Sequence, residues 1–367
     1  MVAIKSLAAA MALLPLALAH PGENKEAIKR EMGLRNVAHA HASRALSKCQ
    51  DSASSLEMKK RSAARRAEKV KSLRAKRGLT SEPLSHQKRD LTELGYYAGI
   101  SHNSTAGYTL DTPETTIFGS NNTCALVPET TIGPYYVTGE YIRSDITEGQ
   151  AGVPLHLEMQ FVDMNTCAPV PQLLADVWHC NATGVYSGIG TDEGEGGLNS
   201  TFLRGVQTSD ADGTVAFDTL FPGHYNARVT HFHLVVQTNG TYQANNTYTG
   251  GDTLHVGQLY FDDSLVKAVE ATYPYYTNTI AYTTWEDDGW MLEEATAQYD
   301  PFVEYVQLSE DLADGLLGWI TVAVNLSSNH TANLTAAAHL YKDGGVAVNG
   351  SSKGLPPSNP NAPMPSM

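Results

Sequence analysis

Two histidines one residue apart stand in Arg228-Val-Thr-His231-Phe-His233. On a β-strand alternate residues point to the same face, so His231 and His233 can offer two imidazoles to one ion. The same spacing at His39-Ala-His41 lies in a stretch of helical composition. There, residues two apart sit about 200° around the axis and cannot share a ligand. Tyr225 follows Pro222-Gly-His, Arg228 comes three residues before His231, and Gly133-Pro-Tyr135-Tyr136-Val137 lies further upstream. A tyrosine ligates a metal only as phenolate, and its ordinary pKa near 10 opposes that. A hard, highly charged cation such as Fe(III) supplies the missing driving force. Two phenolates and two neutral imidazoles would leave ferric iron with a single positive charge. Taken singly, each signal has a plainer reading: paired tyrosines pack, and an H-x-H on a strand is commonly structural. His179 and His224 are read as packing or supporting residues, and His102, His156 and His255 as structural.

The elements that must carry these residues read as β. Pro154–Asp163 alternates in part, Leu173–Trp178 is a short apolar run and Arg228–Gln237 is a further strand. Turn signals separate them at Ala168-Pro-Val-Pro171, Asp210-Ala-Asp-Gly213 and Phe221-Pro-Gly223. Short strands at this spacing predict a mainly β chain, with a two-sheet β-sandwich over residues 90–327. No internal repeat is evident. Residues 328–367, with sequons and a Pro/Ser/Asn-rich end, are expected to form a mobile tail.

Ahead of the sandwich, residues 1–19 have the form of a secretory signal: Lys5, an apolar run over Leu7–Leu18, and Ala17-Leu-Ala19. That run is short for a bilayer span, and no later stretch is long and apolar enough for one. Ten N-x-S/T sequons, at Asn103, Asn121, Asn181, Asn199, Asn239, Asn245, Asn325, Asn329, Asn333 and Asn349, suit a glycosylated extracellular surface. Cys49, Cys124, Cys167 and Cys180 fit two disulfides, with three pairings open. His20–Arg89 carries 18 Lys/Arg against 7 Asp/Glu, whereas from Asp90 onward 6 basic residues face 32 acidic ones. An acidic body is poorly suited to nucleic acid, which is bound by neutralising phosphates. The basic arm over 20–89 reads as helical. It is either a pro-segment cut at Lys88-Arg89 or a retained arm held on the acidic body by charge and by Cys49.

The sequence resembles the intradiol ring-cleavage dioxygenases, in particular their secreted fungal branch. The likeness runs through Cys124-Ala-Leu-Val-Pro-Glu-Thr-Thr-Ile-Gly-Pro-Tyr-Tyr136, Gly152-Val-Pro-Leu-His-Leu, Ala175-Asp-Val-Trp178 and Asn181-Ala-Thr-Gly-Val-Tyr-Ser187. It continues through Phe202-Leu-Arg-Gly205, Ser209-Asp-Ala-Asp-Gly213, Pro222-Gly-His-Tyr225, Arg228-Val-Thr-His-Phe-His233 and Gly257-Gln-Leu-Tyr260. The resemblance implies a β-sandwich with one non-haem Fe(III) per chain, held by Tyr136, Tyr225, His231 and His233. Tyr136 is taken over Tyr135 because the ligand in that motif stands just before the Val, with Tyr135 as the alternative. Arg228 would stand beside a bound diol, Gln258 would support it, and Tyr225 would leave the metal and take up a proton as a catechol binds. The implied reaction uses O2 to open a small aromatic diol between its hydroxyl-bearing carbons, giving a muconate-type diacid. A homodimer is compatible with this. The short interval from Tyr225 to His231 predicts an open mouth that suits bulky diols.

Three other readings remain. A sandwich of this scaffold could bind a sugar or protein without catalysis. His20, freed by signal cleavage, could chelate copper. The basic arm could bind anionic membranes or polymers.

Overall fold

A computed structural model describes residues 42, 44–49, 51–79, 123–124 (backbone), 130, 132–190, 195–288, 291 and 300–348. The signal-like segment, His20, the His39/His41 pair, His102, Lys88-Arg89, the Cys124 side chain and residues 349–367 lie outside them.

Two sheets face each other. The first runs β1 (Thr123–Cys124), β12 (Leu316–Val324), β3 (Pro154–Asp163) and β6 (Thr214–Leu220), with β11 (Glu304–Gln307) also paired to β12. The second runs β10 (Asp252–Tyr260), β7 (His231–Thr238), β4 (Leu174–Trp178) and β5 (Arg204–Thr208). Leu155, Leu157, Met159 and Phe161 of β3 meet Ala175 and Val177 of β4 and Phe232, Leu234 and Val236 of β7 in one core. Period-2 alternation thus sends every second residue of these strands inward. This is the mainly β sandwich expected from the pattern. A short helix α2 (Asp263–Glu270), capped by the Asp262 carboxylate on the Leu265 amide, buries Leu265, Val266 and Val269 against the same core.

The polar side of β3 is not solvated. His156, Glu158 and Gln160 are all buried. Helix α1 (Ala53–Lys76) covers this face with small residues, so that Ala63 and Ala67 pack on Val306, Leu317 and Trp319. The helix follows from its Ala/Lys/Arg/Glu content. The Ser52 side chain caps it at the Ser55 amide, and Gly78 at φ 69° follows its end. Charge fixes its register. Arg65 and Arg66 converge on Glu158 at 2.9 and 2.7 Å, Arg61 reaches Asp212 at 2.7 Å, and the Arg66 guanidinium lies 5.2 Å from the Trp319 ring centroid. The basic arm is therefore a layer of the fold over these residues.

Cys49 is disulfide-bonded to Cys167, closing a span of 118 residues. Of the expected second bridge there is no sign at Cys180, a buried free thiol whose S–H donates to the Gly223 carbonyl at 3.3 Å. Strand β4 lies between Cys167 and Cys180 and holds them apart. The tail expectation also needs correction over 328–348. β13 (Ala338–Tyr341) and β14 (Gly344–Ala347) fold back, and β13 pairs in parallel with β2 (Val137–Thr138) through Ala338 and Val137. Among the described residues no helix is long and apolar enough to cross a membrane.

Two outcomes are expected. Because Cys49 and Cys167 are bonded, protein cut at Lys88-Arg89 should run as one band on a non-reducing gel and as two after reduction. Burial pushes the Glu158 carboxyl up, but Arg66 and Arg65 outweigh it and hold the carboxyl below its ordinary value. A depressed folded-state pKa gives stability that is present above the unfolded value and lost as pH falls through the folded one. Thermal stability attributable to α1 should therefore be flat from neutral pH to about 5 and fall below about 4.5. Glu158→Gln should remove that acid limb in a Tm-against-pH series.

Candidate metal centre

Strand β7 is paired on both edges, and its register fixes the site. His233 stands opposite Trp178 on one side and Gln258 on the other, while His231 stands opposite Tyr260. Since Phe232 and Leu234 point into the core, His231 and His233 point to the outer face of the second sheet. The two Nε2 atoms approach to 3.1 Å, and both residues are buried. Nδ1 of His231 lies 2.6 Å from the Val229 carbonyl, an acceptor only, so that nitrogen carries the proton and Nε2 presents a lone pair. The Trp178 indole stacks on the His233 ring at 4.8 Å, with the planes 1° apart. Gly133, at φ 72°, closes over the other ring edge: a Cβ there would sit 3.0 Å from His233 Cε1.

Tyr225 reaches this pair from the turn before β7, its hydroxyl 3.4 Å from His231 Nε2. Tyr186 completes the cluster. Its ring lies 5.3 Å from that of Tyr225 and 6.1 Å from that of His233. It is fully buried, with no hydrogen-bond partner for its hydroxyl. A buried orphan phenol calls for a partner, and Tyr186, Tyr225, His231 and His233 together make a donor set that fits a shared cation. Tyr135 stacks on Tyr186 at 4.4 Å and meets Tyr225 edge-on, forming a wall of the cluster.

Tyr136, expected as a ligand, is not brought here. Its hydroxyl associates with Tyr248 and Gln237. Gln237 is four residues beyond His233, roughly 13 Å along an extended strand. Tyr136 instead walls a separate cavity of about 410 Å³ with Tyr248, Gln237, Thr138 and His339. Tyr135 lies in the turn after Gly133 and Tyr136 leads out of it into β2, and the turn directs the Tyr135 ring to the cluster. Tyr186 sits in a matched motif, but one tyrosine in a loop carries no periodic signal. Its loop is shaped by Asn181, whose side-chain oxygen accepts from the Thr183 and Val185 amides and whose amide donates to Gln150. That sequon position is thus built into the fold.

Burial sets the protonation of the cluster. Burial lowers the pKa of His231 and His233 well below the usual range, so both are neutral. Burial likewise raises the Tyr186 and Tyr225 phenols, so phenolate forms only against a strong positive charge. No group of three or more His, Cys, Asp or Glu suited to a metal occurs among the described residues, so any centre here needs the two phenols. Arg228 is buried beside the cluster. It donates from Nε to Asp288 at 3.0 Å and from Nη2 to Gln258 and to the Tyr260 hydroxyl. Asp288 also accepts from the Val229 amide at 2.8 Å, tying Arg228 to the start of β7. His179 and His224 have both ring nitrogens engaged, on Cys180 and Thr219 and on Glu270 and Ile280, and are not donors to this cluster.

A dioxygenase family profile matches residues 132–269. The intradiol ring-cleavage dioxygenase from Tetranychus urticae is 30% identical, the match covering 56% of this chain and 97% of that one, with a TM-score of 0.48. This chain belongs to the intradiol ring-cleavage dioxygenase family. The dioxygenase domain of a dioxygenase carbohydrate-binding protein fusion from Streptomyces sp. SirexAA-E is 21% identical over 55% of this chain and 98% of that one, with a TM-score of 0.34. Catechol 1,2-dioxygenase from Pseudomonas arvilla C-1 is 18% identical over 57% and 65%, with a TM-score of 0.37. No curated protein sequence matches the chain. The profile match contains all four clustered donors together with Arg228 and Gln258.

The geometry separates the tyrosines by experiment. Tyr186→Phe should weaken ferric ion binding by well over the roughly 10–100-fold typical of losing an outer partner. Tyr136→Phe should leave it unchanged in the same titration.

Proposed function

We propose that this intradiol-family chain is a secreted dioxygenase that holds one non-haem Fe(III) per chain through Tyr186, Tyr225, His231 and His233. The observation that carries this reading is the convergence of a buried phenol, a half-buried phenol and two neutral imidazoles, the buried phenol with no other partner. Secretion is supported by the signal-like start, the sequons and the Cys49–Cys167 bridge, which an oxidising compartment preserves. Ferric iron at such a site supplies a Lewis acid and electron acceptor that prepares a catechol-type diol for attack by O2.

The residues around it have distinct tasks. Tyr225 is the more exposed of the two clustered phenols, in the segment just before β7. Its oxygen is placed to take up a proton from an incoming diol hydroxyl as the diol claims its position. Tyr186 is held in the interior and stays. Arg228, anchored through Asp288, Gln258 and Tyr260, presents fixed positive charge where negative charge grows on the ring oxygens. Trp178 and Tyr135 exclude water from the imidazole and phenol faces. The product is a muconate-type diacid. The short Tyr225–His231 connection leaves little wall on that side, which favours bulky diols as substrates.

Purified protein should show a tyrosinate-to-Fe(III) absorption band that shifts on anaerobic addition of catechol. Tyr225→Phe should alter the band and lower kcat by about 10²–10⁴-fold, as expected for a lost proton acceptor. A colourless protein that takes up no ferric iron overturns the enzymatic reading. Turnover confined to unsubstituted catechol in a substrate panel overturns the preference for bulky diols.

A further inference from the structure

Tyr186 is the one clustered donor carried by a long loop, which runs from β4 to β5 and therefore depends on other residues for its position. We propose that Arg204 is its positioning residue, acting through the carbonyl of Ser187; this rests on the reading of the cluster as an iron centre. Arg204 opens β5 and stands opposite Trp178, which itself stands opposite His233. Arg204, Trp178 and His233 thus form one cross-strand row on the outer face of the sheet. The Arg204 backbone is two strand spacings, about 10 Å, from that of His233.

From there the guanidinium clamps the loop. Nε and Nη2 both donate to the Ser187 carbonyl, at 2.9 and 2.7 Å, and Nε also reaches Ser187 Oγ at 3.0 Å. Ser187 Oγ in turn donates to the Phe202 carbonyl. Because Ser187 follows Tyr186 directly, this ties the peptide next to the phenol to the same sheet that carries the histidines. The other ties, the Asn181 turn and the Gly196 amide on the Tyr186 carbonyl, are loop to loop.

The electrostatic surroundings argue for a directional role. Arg204, Glu140 and Asp176 are each 1% exposed, and Glu140 Oε1 lies 3.7 Å from Arg204 Nη1. The carboxylate oxygens of Glu140 and Asp176 and Nη1 itself have no hydrogen-bond partner. Three buried ionisable groups so loosely bonded give less stability than apolar side chains of the same size would. What they retain is a guanidinium whose fork is aimed at one carbonyl, which neither an apolar residue nor a lysine can reproduce.

The test is ferric titration of iron-free wild type and Arg204→Lys, read by the tyrosinate band, with Tm measured on the iron-free proteins. The proposal expects Arg204→Lys to bind ferric ion about 10–100-fold more weakly and to shift the band. Glu140→Gln, which leaves the carbonyl clamp in place, should lower Tm without weakening iron to that extent. If Arg204→Lys does not fold, the double variant Arg204→Met with Glu140→Leu replaces the loose ion pair with packing and carries the same test. Affinity within about threefold of wild type, with an unmoved band, overturns the positioning role. Absence of ferric binding by wild type overturns instead the iron-centre reading on which it rests.

Discussion

Strand β7 is hydrogen-bonded on both edges, to β10 and to β4, and that double pairing decides where His231 and His233 point. A one-residue slip would turn both imidazoles into the core and Phe232 outward. The register also selects the neighbours. Trp178 from β4 and Gln258 from β10 flank His233, and Tyr260 from β10 flanks His231. The indole plane, the Gln258–Arg228 contact and the Tyr260 hydroxyl all come to the cluster because of this ladder. Tyr186, Tyr225, Arg228 and Gly133 arrive from outside the sheet.

Burial then works against the charges the site needs. It favours neutral imidazoles, which is what a cation wants, but also neutral phenols, which is not. The cluster becomes a strong site only for a cation able to draw off phenol protons. In the proposed iron centre, desolvation would favour a hard trivalent ion over a divalent one, with donor type reinforcing it.

The opposite face of the molecule shows the same use of coverage. Helix α1 hides Glu158, Gln160 and Trp319, and the disulfide at Cys49 holds its leading end to the turn after β3. Polar residues alternating along β3 would ordinarily signal a solvated face. Here they are the complement of a basic, small-residue helix. The charge imbalance between arm and body, visible in composition, is the long-range record of that contact.

The strands and the shared face of His231 and His233 were legible from local periodicity, and the helix over Ala53–Lys76 from composition, whereas Tyr225 and Arg228 were singled out by the family resemblance. The choice among Tyr135, Tyr136 and Tyr186 was not legible. Tyr135 sits in a turn and Tyr136 just after it, and which ring meets β7 depends on how the Gly133 turn docks on His233. Tyr186 lies in a loop whose course is set by the Arg204 clamp and the Asn181 turn, both of which act across the sheet or the loop rather than along the chain. The fold-back of β13 onto β2 was likewise hidden, since its partner lies some two hundred residues earlier, beyond any local pattern. By itself the sequence determined the donors available and the strand that presents two of them. Only the tertiary structure decided which phenols join them, because that choice depends on the packing of loops against a sheet.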